Sequence, residues 1–299
     1  MLMMRQHWSA GKSCPVAVAM GPPPAVFLAG VSYFPWGTGE YGFAGWANGE
    51  PIEIFEGPHT GLPLPAFSEI IIEGEVPPPS EETQIEGPFG EYTGYYASGP
   101  AAEPVIKVKT LLHRTNPIIQ GNPPMKPPIS HLGAPIAHAP IWDRLEKSLP
   151  GIKCVYAHPA GGGGHLYVVS IQQKYAGHAK QVGLMMMAVG ASGGRYVVLT
   201  DDDIDASNME EVMWAVATRC DPATSISITD DMPSNILDPA MEPTRKKKFE
   251  TLTNTRAIIN ACRPYGWIKE FPPVNRAGEE TRNKVLHKWK DLFDRVNKN

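Results

Sequence analysis

Residues 195–219 read RYVVLTDDDIDASNMEEVMWAVATR. Val197, Val198 and Leu199 run directly into three acids, Asp201, Asp202 and Asp203. So short an apolar run, rich in β-branched residues and ending in polar ones, predicts a buried strand over 195–204. Ser207, with Glu210 three residues on, matches a capping box. It opens a predicted helix over 209–219 whose apolar face carries Met209, Val212, Met213 and Val216. Strand, acidic turn and capped helix make half of a βαβ unit. IKCVYAHP (152–159) and HLYVVSIQ (165–172) read as strands. AGHAKQVGLMMMAVGA (176–191) reads as a helix stopped by Ser192-Gly193-Gly194, and SISIT (225–229) as a short strand. This alternation predicts an α/β domain over residues 141–270.

Upstream the character changes. PVAVAMGPPPAVFLAGV (15–31) predicts a strand, a turn and a short apolar helix or strand, and SEIIIEGEV (68–76) a buried strand. EPVIKVKTLLHR (103–114) alternates apolar and polar residues, as a half-buried strand does. Residues 1–118 thus read as a β-rich domain without a long helix. Residues 119–140 are dense in proline and histidine and form a crossing between domains. IWDRLEKSLPG (141–151) offers a helical turn ended by Pro150 and Gly151. The tail, 271–299, holds an amphipathic helix over about 278–296 with Val285, Leu286, Trp289, Leu292 and Phe293 on its apolar stripe.

At 299 residues and 42% hydrophobic composition the chain has material for a sizeable core, which excludes a disordered polypeptide. A net charge of −4 gives no basic bias and argues against nucleic acid as a partner. No apolar run reaches the length of a membrane span, and MLMMRQHWSAGKSC lacks the apolar centre of a signal peptide, so a cytoplasmic protein without membrane insertion is expected. Cys14, Cys154, Cys220 and Cys262 are scattered and read as free thiols.

Several motifs invite a chemical reading and favour a plainer one. Asp201–Asp203 sit where ligands gather in parallel sheets, but acids there also suit the start of a helix. GGGGH (161–165) lacks the Gly-Lys-Ser/Thr ending of a phosphate loop and precedes a strand, so it reads as a turn between strands. Met185–Met187 read as core and Lys246–Lys248 as a solvated run. His131 and His138 are weak metal candidates. The stretch EGPFGEYTGYY (86–96) is different. Glu86 and Glu91 flank a Gly-Pro-Phe-Gly turn, beside Phe89, Tyr92, Tyr95 and Tyr96. Two carboxylates held at one pocket share a proton more readily, which provides a neutral acid able to donate it.

EGPFGEYTGYY also resembles the signature of the UbiD family of reversible decarboxylases, which use prenylated FMN. GEYGFAGWANGEPIEI (39–54), SEIIIEGEVPP (68–78), VVLTDDDIDASNMEEVMWAVATRCDP (197–222) and NTRAIINACRP (254–264) resemble further segments of the family, in the same order. The resemblance implies a split β-barrel flavin-binding domain followed by the α/β domain and a terminal helix. It implies Glu91 as proton donor and Glu86 as its partner in a Glu-Arg-Glu network. Glu40 would bind Mn²⁺ or Mg²⁺ bridging to the flavin phosphate, with K⁺ as a further ion. Arg256 would lie near that phosphate, and Gly30, Val31, Ser32 and Tyr33 would line the cofactor pocket. The implied activity is the non-oxidative decarboxylation, or reverse carboxylation, of an aromatic, heteroaromatic or α,β-unsaturated carboxylic acid. A homo-oligomer is implied, with a flavin prenyltransferase as cofactor supplier.

WSAGKSCPVAVAMG (8–21) resembles a family segment that follows the Asn, His and Arg completing the metal site and the glutamate network. No residues of this sequence match those three. The expectation is a truncated or mis-started product, or one part of a split enzyme whose second subunit supplies the missing segment; the alternative is a non-catalytic assembly subunit.

Overall fold

The computed structural model describes residues 2–32, 34, 37–96, 99–121, 123–126, 134–162, 164–189, 194–246 and 252–292. It falls into two compact units, Met1–Cys262 and Arg263–Asn299.

The first part of the larger unit contains α1 (Leu2–Ser9), β1 (Cys14–Met20), α2 (Pro24–Gly30), α3 (Glu40–Asn48), β2 (Ile54–Glu56), β3 (Pro63–Pro65), β4 (Ile70–Val76), β5 (Thr83–Glu86), β6 (Ala101–Pro104) and β7 (Lys107–His113). β1, β4 and β7 form an antiparallel sheet with β4 in the middle, and β2–β3 and β5–β6 are two-stranded ribbons. The predicted strand over 103–114 divides into β6 and β7, which pair with different partners. β4 carries a fully buried acid, Glu73. Its Oε1 accepts hydrogen bonds from the Thr60 backbone N–H (2.9 Å) and hydroxyl (2.6 Å). Burial pushes its pKa up, but the bonds from Thr60 and the His59 backbone outweigh that and hold it below the usual range. The carboxylate thereby fixes the β2–β3 loop to the sheet.

The second part contains α4 (Ala134–Ser148), β8 (Ile152–Ala157), β9 (Leu166–Ile171), α5 (His178–Val189), β10 (Tyr196–Asp201), α6 (Met209–Arg219), α7 (Pro222–Ser225), β11 (Ile226–Pro233), α8 (Pro243–Lys246) and β12 (Thr253–Asn260). Its sheet has the order β11-β12-β10-β9-β8. β10 is central and parallel to both neighbours, while the edge strands are antiparallel. The strand alternation separates two cores. Tyr167, Val169, Ile171, Val197 and Leu199 pack with Leu145 of α4 and Val182 and Met186 of α5. Val168 and Val198 pack on the opposite face with Val212 and Ala215 of α6. This mixed α/β architecture agrees with the expected class, and the described strands of the first part form open sheets.

Three local expectations shift. α4 is longer than one turn and begins inside the proline-rich stretch, with Pro140 in its interior. α6 is capped one residue later than predicted: Asn208 Oδ1 accepts from the N–H groups of Glu210 and Glu211, and Glu211, not Glu210, reaches back, to the Asp205 N–H at 3.0 Å. Ser207 is instead tied to Asp205. Met213 is 53% exposed, because Val212, Ala215 and Arg219 take the buried face.

Arg219 occupies that face because Asp201, at the end of the central strand, is 2% exposed. The guanidinium donates to Asp201 Oδ2 at 3.2 Å and to both oxygens of Asp203 at 2.9 Å, and lies over the Trp214 ring. Asp201 and Asp203 are thus strand-end acids with a structural cation. In the smaller unit, Trp267 stacks on Phe271, and α9 spans Glu279–Lys288; helical residues resume at 290–292, and the end of the predicted helix, 293–296, lies outside the described residues. Val285, Leu286, Trp289 and Leu292 are exposed; Phe293 lies outside the described residues. Among the described residues no helix is long and apolar enough to cross a membrane.

Two expectations follow. Arg219→Ala leaves a buried carboxylate without its cation and should cost about 3 kcal/mol in urea unfolding. His138 of α4, 3% exposed, has a pKa lowered by burial to about 4 from its ordinary 6.5, and its ring accepts the Ala157 N–H. Between these values the unfolded chain binds the proton and the folded chain does not, so stability rises with pH from about 4 to 6.5, by about 3 kcal/mol in all. His138→Gln should flatten that rise in urea titrations across this range.

Candidate functional site

Glu86 is the last residue of β5, paired with Ala101 of β6, and exposed. Residues 87–90 then leave the ribbon, and Glu91 begins a tight turn. The Gly94 N–H donates to the Glu91 carbonyl at 2.8 Å, and the Glu91 N–H to the Tyr95 carbonyl at 2.9 Å. Gly94 has φ +82°, and a Cβ there would stand 3.0 Å from Lys126 Cα. Only glycine suits both the left-handed backbone and that close approach. The two acids therefore stand at opposite ends of one short loop, each end anchored by backbone hydrogen bonds. Glu91 is half-buried and Thr93 is buried.

Gly30, Val31 and Ser32 lie at the C-terminal end of α2. The Val31 N–H donates to Phe27 O at 3.2 Å, and the Ser32 hydroxyl to Leu28 O at 2.7 Å. Glu40 is the exposed first residue of α3, where a carboxylate suits the helix dipole. Burial, with the charge of Glu40 adding, raises the pKa of Tyr41. α2 and α3 pack through Ala25, Ala29 and Ala44, with Phe34 against Phe43 at 4.8 Å. One small helical pair thus carries residues 30–32 and Glu40. Among the described residues a Cβ on Gly30 of α2 or Gly42 of α3 would meet nothing within 4 Å, so there is open space at those two positions. Tyr33 and His131 lie outside the described residues.

Arg256 stands apart, on β12. It is 2% exposed, and its guanidinium donates to the carbonyls of Met187 and Pro233 and to Asn254 Oδ1. Burial lowers its pKa, with Tyr167 opposing. A cleft of about 500 Å³ opens beside it, lined also by Arg195, Asp238, Glu242, Arg245 and Asn254. Within that cleft Arg195 and Asp238 are ion-paired.

Among the described residues no three His, Cys, Asp or Glu side chains cluster as a metal site would require. Glu40 by itself does not make a divalent-ion site. The arrangement offers a braced acid, Glu91, and an open helical pair.

Residues 1–127 match the 3-octaprenyl-4-hydroxybenzoate carboxy-lyase Rift-related domain, and residues 130–261 the C-terminal domain of the same family. The chain belongs to the UbiD family. Among solved structures it is similar to the UbiD-class enzyme HmfF from Pelotomaculum thermopropionicum in complex with FMN, at 29% identity and TM-score 0.80, covering 93% of this chain and 60% of that one. Vanillic acid decarboxylase of Sedimentibacter hydroxybenzoicus in open form is similar at 27% identity and TM-score 0.77, covering 98% and 62%. Apo 3,4-dihydroxybenzoic acid decarboxylase of Klebsiella pneumoniae is similar at 26% and 0.79, covering 95% and 61%. The chain spans about three fifths of the length of these UbiD-class relatives.

The contacts that hold the Glu91 turn, those of Tyr92 with His165 and Asn235, have no signal in the sequence, because the residues are far apart in the chain. Arg219 and the Arg195–Asp238 pair are hidden for the same reason.

If the Arg256 guanidinium holds the Met187 and Pro233 segments together, Arg256→Leu lowers stability by about 2 kcal/mol in urea unfolding, because two carbonyls lose their donors. A variant as stable as the parent would overturn this structural role.

Proposed function

We propose that this chain carries the proton-donating part of a UbiD-type decarboxylase that acts, with prenylated FMN, on an aromatic, heteroaromatic or α,β-unsaturated carboxylic acid. Support comes from family membership, from relatives whose names specify aromatic acid decarboxylation, and from HmfF structures described as complexes with FMN and prenylated FMN. The observation that carries the reading is the half-buried Glu91 on a turn closed by two backbone hydrogen bonds. Residues 1–118 would serve as the flavin-binding part, 119–140 as the crossing, 141–270 as the α/β part and 271–299 as the tail. The free thiols support a reducing, cytoplasmic setting.

Bound prenylated FMN supplies an electron sink for the carbon that loses CO₂. The protein positions the acid and delivers a proton. Gly30, Val31, Ser32, Tyr33 and Glu40 would hold the flavin and its phosphate. The Glu91 carboxyl, fixed by its turn, gives a proton to the carbon from which CO₂ has left, as a general acid. Glu86, at the other end of the loop, orients it. In the carboxylating direction Glu91 takes the same proton. Among the described residues Glu40 stands without a cluster of further His, Cys, Asp or Glu ligands, so a divalent ion bound there would need ligands from elsewhere. That observation favours a second reading for the assembly: another segment or subunit completes the ion site and the glutamate network, and by itself this chain is an assembly subunit. Homo-oligomerisation and a flavin prenyltransferase as supplier belong to the same proposal.

The test is Glu91→Gln in protein produced together with a flavin prenyltransferase and assayed on hydroxybenzoic and cinnamic-type acids. Loss of a general acid should lower turnover about 100-fold or more, with flavin content unchanged. Equal turnover in variant and parent would overturn the proton-donor assignment.

A further inference from the structure

The glycine-rich stretch 161–165 has no task in the proposed function, and the structure sets two of its described residues, Gly162 and His165, against the Glu91 turn. The turn runs Glu91-Tyr92-Thr93-Gly94, closed by the Gly94 N–H on the Glu91 carbonyl. Its two central residues meet the α/β part. The Tyr92 ring stacks on the His165 ring, with centroids 6.3 Å apart and planes at 17°. Its hydroxyl accepts a hydrogen bond from Asn235 Nδ2 at 3.3 Å. Thr93 is 5% exposed. Gly162, at φ +58°, lies beside it: a Cβ there would be in van der Waals contact with the Thr93 carbonyl, at 3.4 Å. On the other side, the backbone of residues 124–126 comes within 3.0 Å of the positions a Cβ would take on Gly90 and Gly94. The turn is gripped from both sides.

The two residues that hold Tyr92 are themselves tied together. The carbonyl of His165 accepts hydrogen bonds from the N–H groups of Arg195 (3.0 Å) and Tyr196 (2.8 Å). The Arg195 guanidinium is ion-paired with Asp238. The Asp238 N–H donates to the Asn235 carbonyl at 3.2 Å, and Asn235 Oδ1 accepts the Leu237 N–H at 2.9 Å. A closed circuit therefore runs His165, Arg195, Asp238, Asn235, Tyr92 and back to His165. Tyr92 is the member contributed by the acid-bearing loop, and it is adjacent in sequence to Glu91.

We infer that the glycine-rich loop and Asn235 form a socket for the Tyr92-Thr93 turn, and that Tyr92, His165 and Asn235 are positioning residues for Glu91. Glycine suits position 162 because the backbone there is left-handed, at φ +58°. The α/β part thereby sets where the proton donor stands, although it contributes no acid of its own. The functional half of this inference rests on the Glu91 assignment; the structural half does not.

The test measures amide hydrogen exchange on the full chain, following the peptide containing residues 91–95 and, as reference, one containing 166–171. Tyr92 is 38% exposed, so Tyr92→Ala leaves the core intact. Tyr92→Ala and His165→Ala should each speed exchange at 91–95 about tenfold with the reference unchanged, and Tyr92→Phe, which drops only the hydroxyl, about threefold. The double alanine variant should exchange no faster than Tyr92→Ala, because the stacking that His165→Ala removes is already lost there. Unchanged exchange at 91–95, or equal acceleration in both peptides, would overturn the socket. In the flavin-loaded assembly Tyr92→Ala should lower kcat at nearly constant KM. Full activity of Glu91→Gln would defeat the proton-donor reading while leaving the exchange result standing. An inactive Glu91→Gln with unaltered exchange in Tyr92→Ala would defeat the socket alone.

Discussion

Asp201 ends the central strand of the α/β sheet inside the protein, and a carboxylate taken out of water there needs a cation. Arg219 supplies it from the last turn of α6, gripping Asp203 in the same fork. That requirement fixes more than a salt bridge. It sets the rotation of α6, so that Val212 and Ala215 face the sheet and Met213 turns to solvent. It also closes the acidic turn between strand and helix, where Asp205, Ser207, Asn208 and Glu211 complete the cap. With β10 held in this way, its N-terminal end is equally determined. There Arg195 and Tyr196 donate their N–H groups to His165, and Arg195 reaches Asp238.

The chain of constraint then leaves the sheet. His165 and Asn235, fixed by the start of β10, receive Tyr92 from the acid-bearing loop. Each link is modest, a stacked ring or a hydrogen bond worth about 1 kcal/mol. Their arrangement in a closed circuit is what gives them value, since no member can move without breaking a neighbour's contact. A rigid sheet thus controls a loop that has little secondary structure of its own. Such control suits proton transfer, which depends steeply on the placement of the acid.

Much of this was legible in the residues alone. Strands over 70–76, 152–157, 166–171 and 196–201, and the helix 178–189, follow from apolar runs bounded by turn residues, because both faces of a sheet must be covered. The signature EGPFGEYTGYY placed the two acids of the candidate site before any coordinates. The short helices α1 and α3 were not legible. Neither has the length or amphipathic period that betrays a helix, and α3 depends on Phe34 and the small residues of α2 for its burial. The α6 cap falls one residue later than the sequence suggests because Ser207 and Asn208 are both good cap residue types and each is followed three residues on by a glutamate; only the packing of the helix chooses between them.

The sequence by itself determined the family, the mixed α/β class, the order of the elements and the identity of the two signature acids, since local pattern and motif spacing carry that information along the chain. Tertiary structure decided the rest. It committed Arg256 to backbone carbonyls, Arg219 to Asp201, and the glycine-rich loop to the turn that presents Glu91. These pairings join residues 18 or more positions apart, without any shared period, so only the folded chain brings the partners into contact and makes burial of one depend on the other.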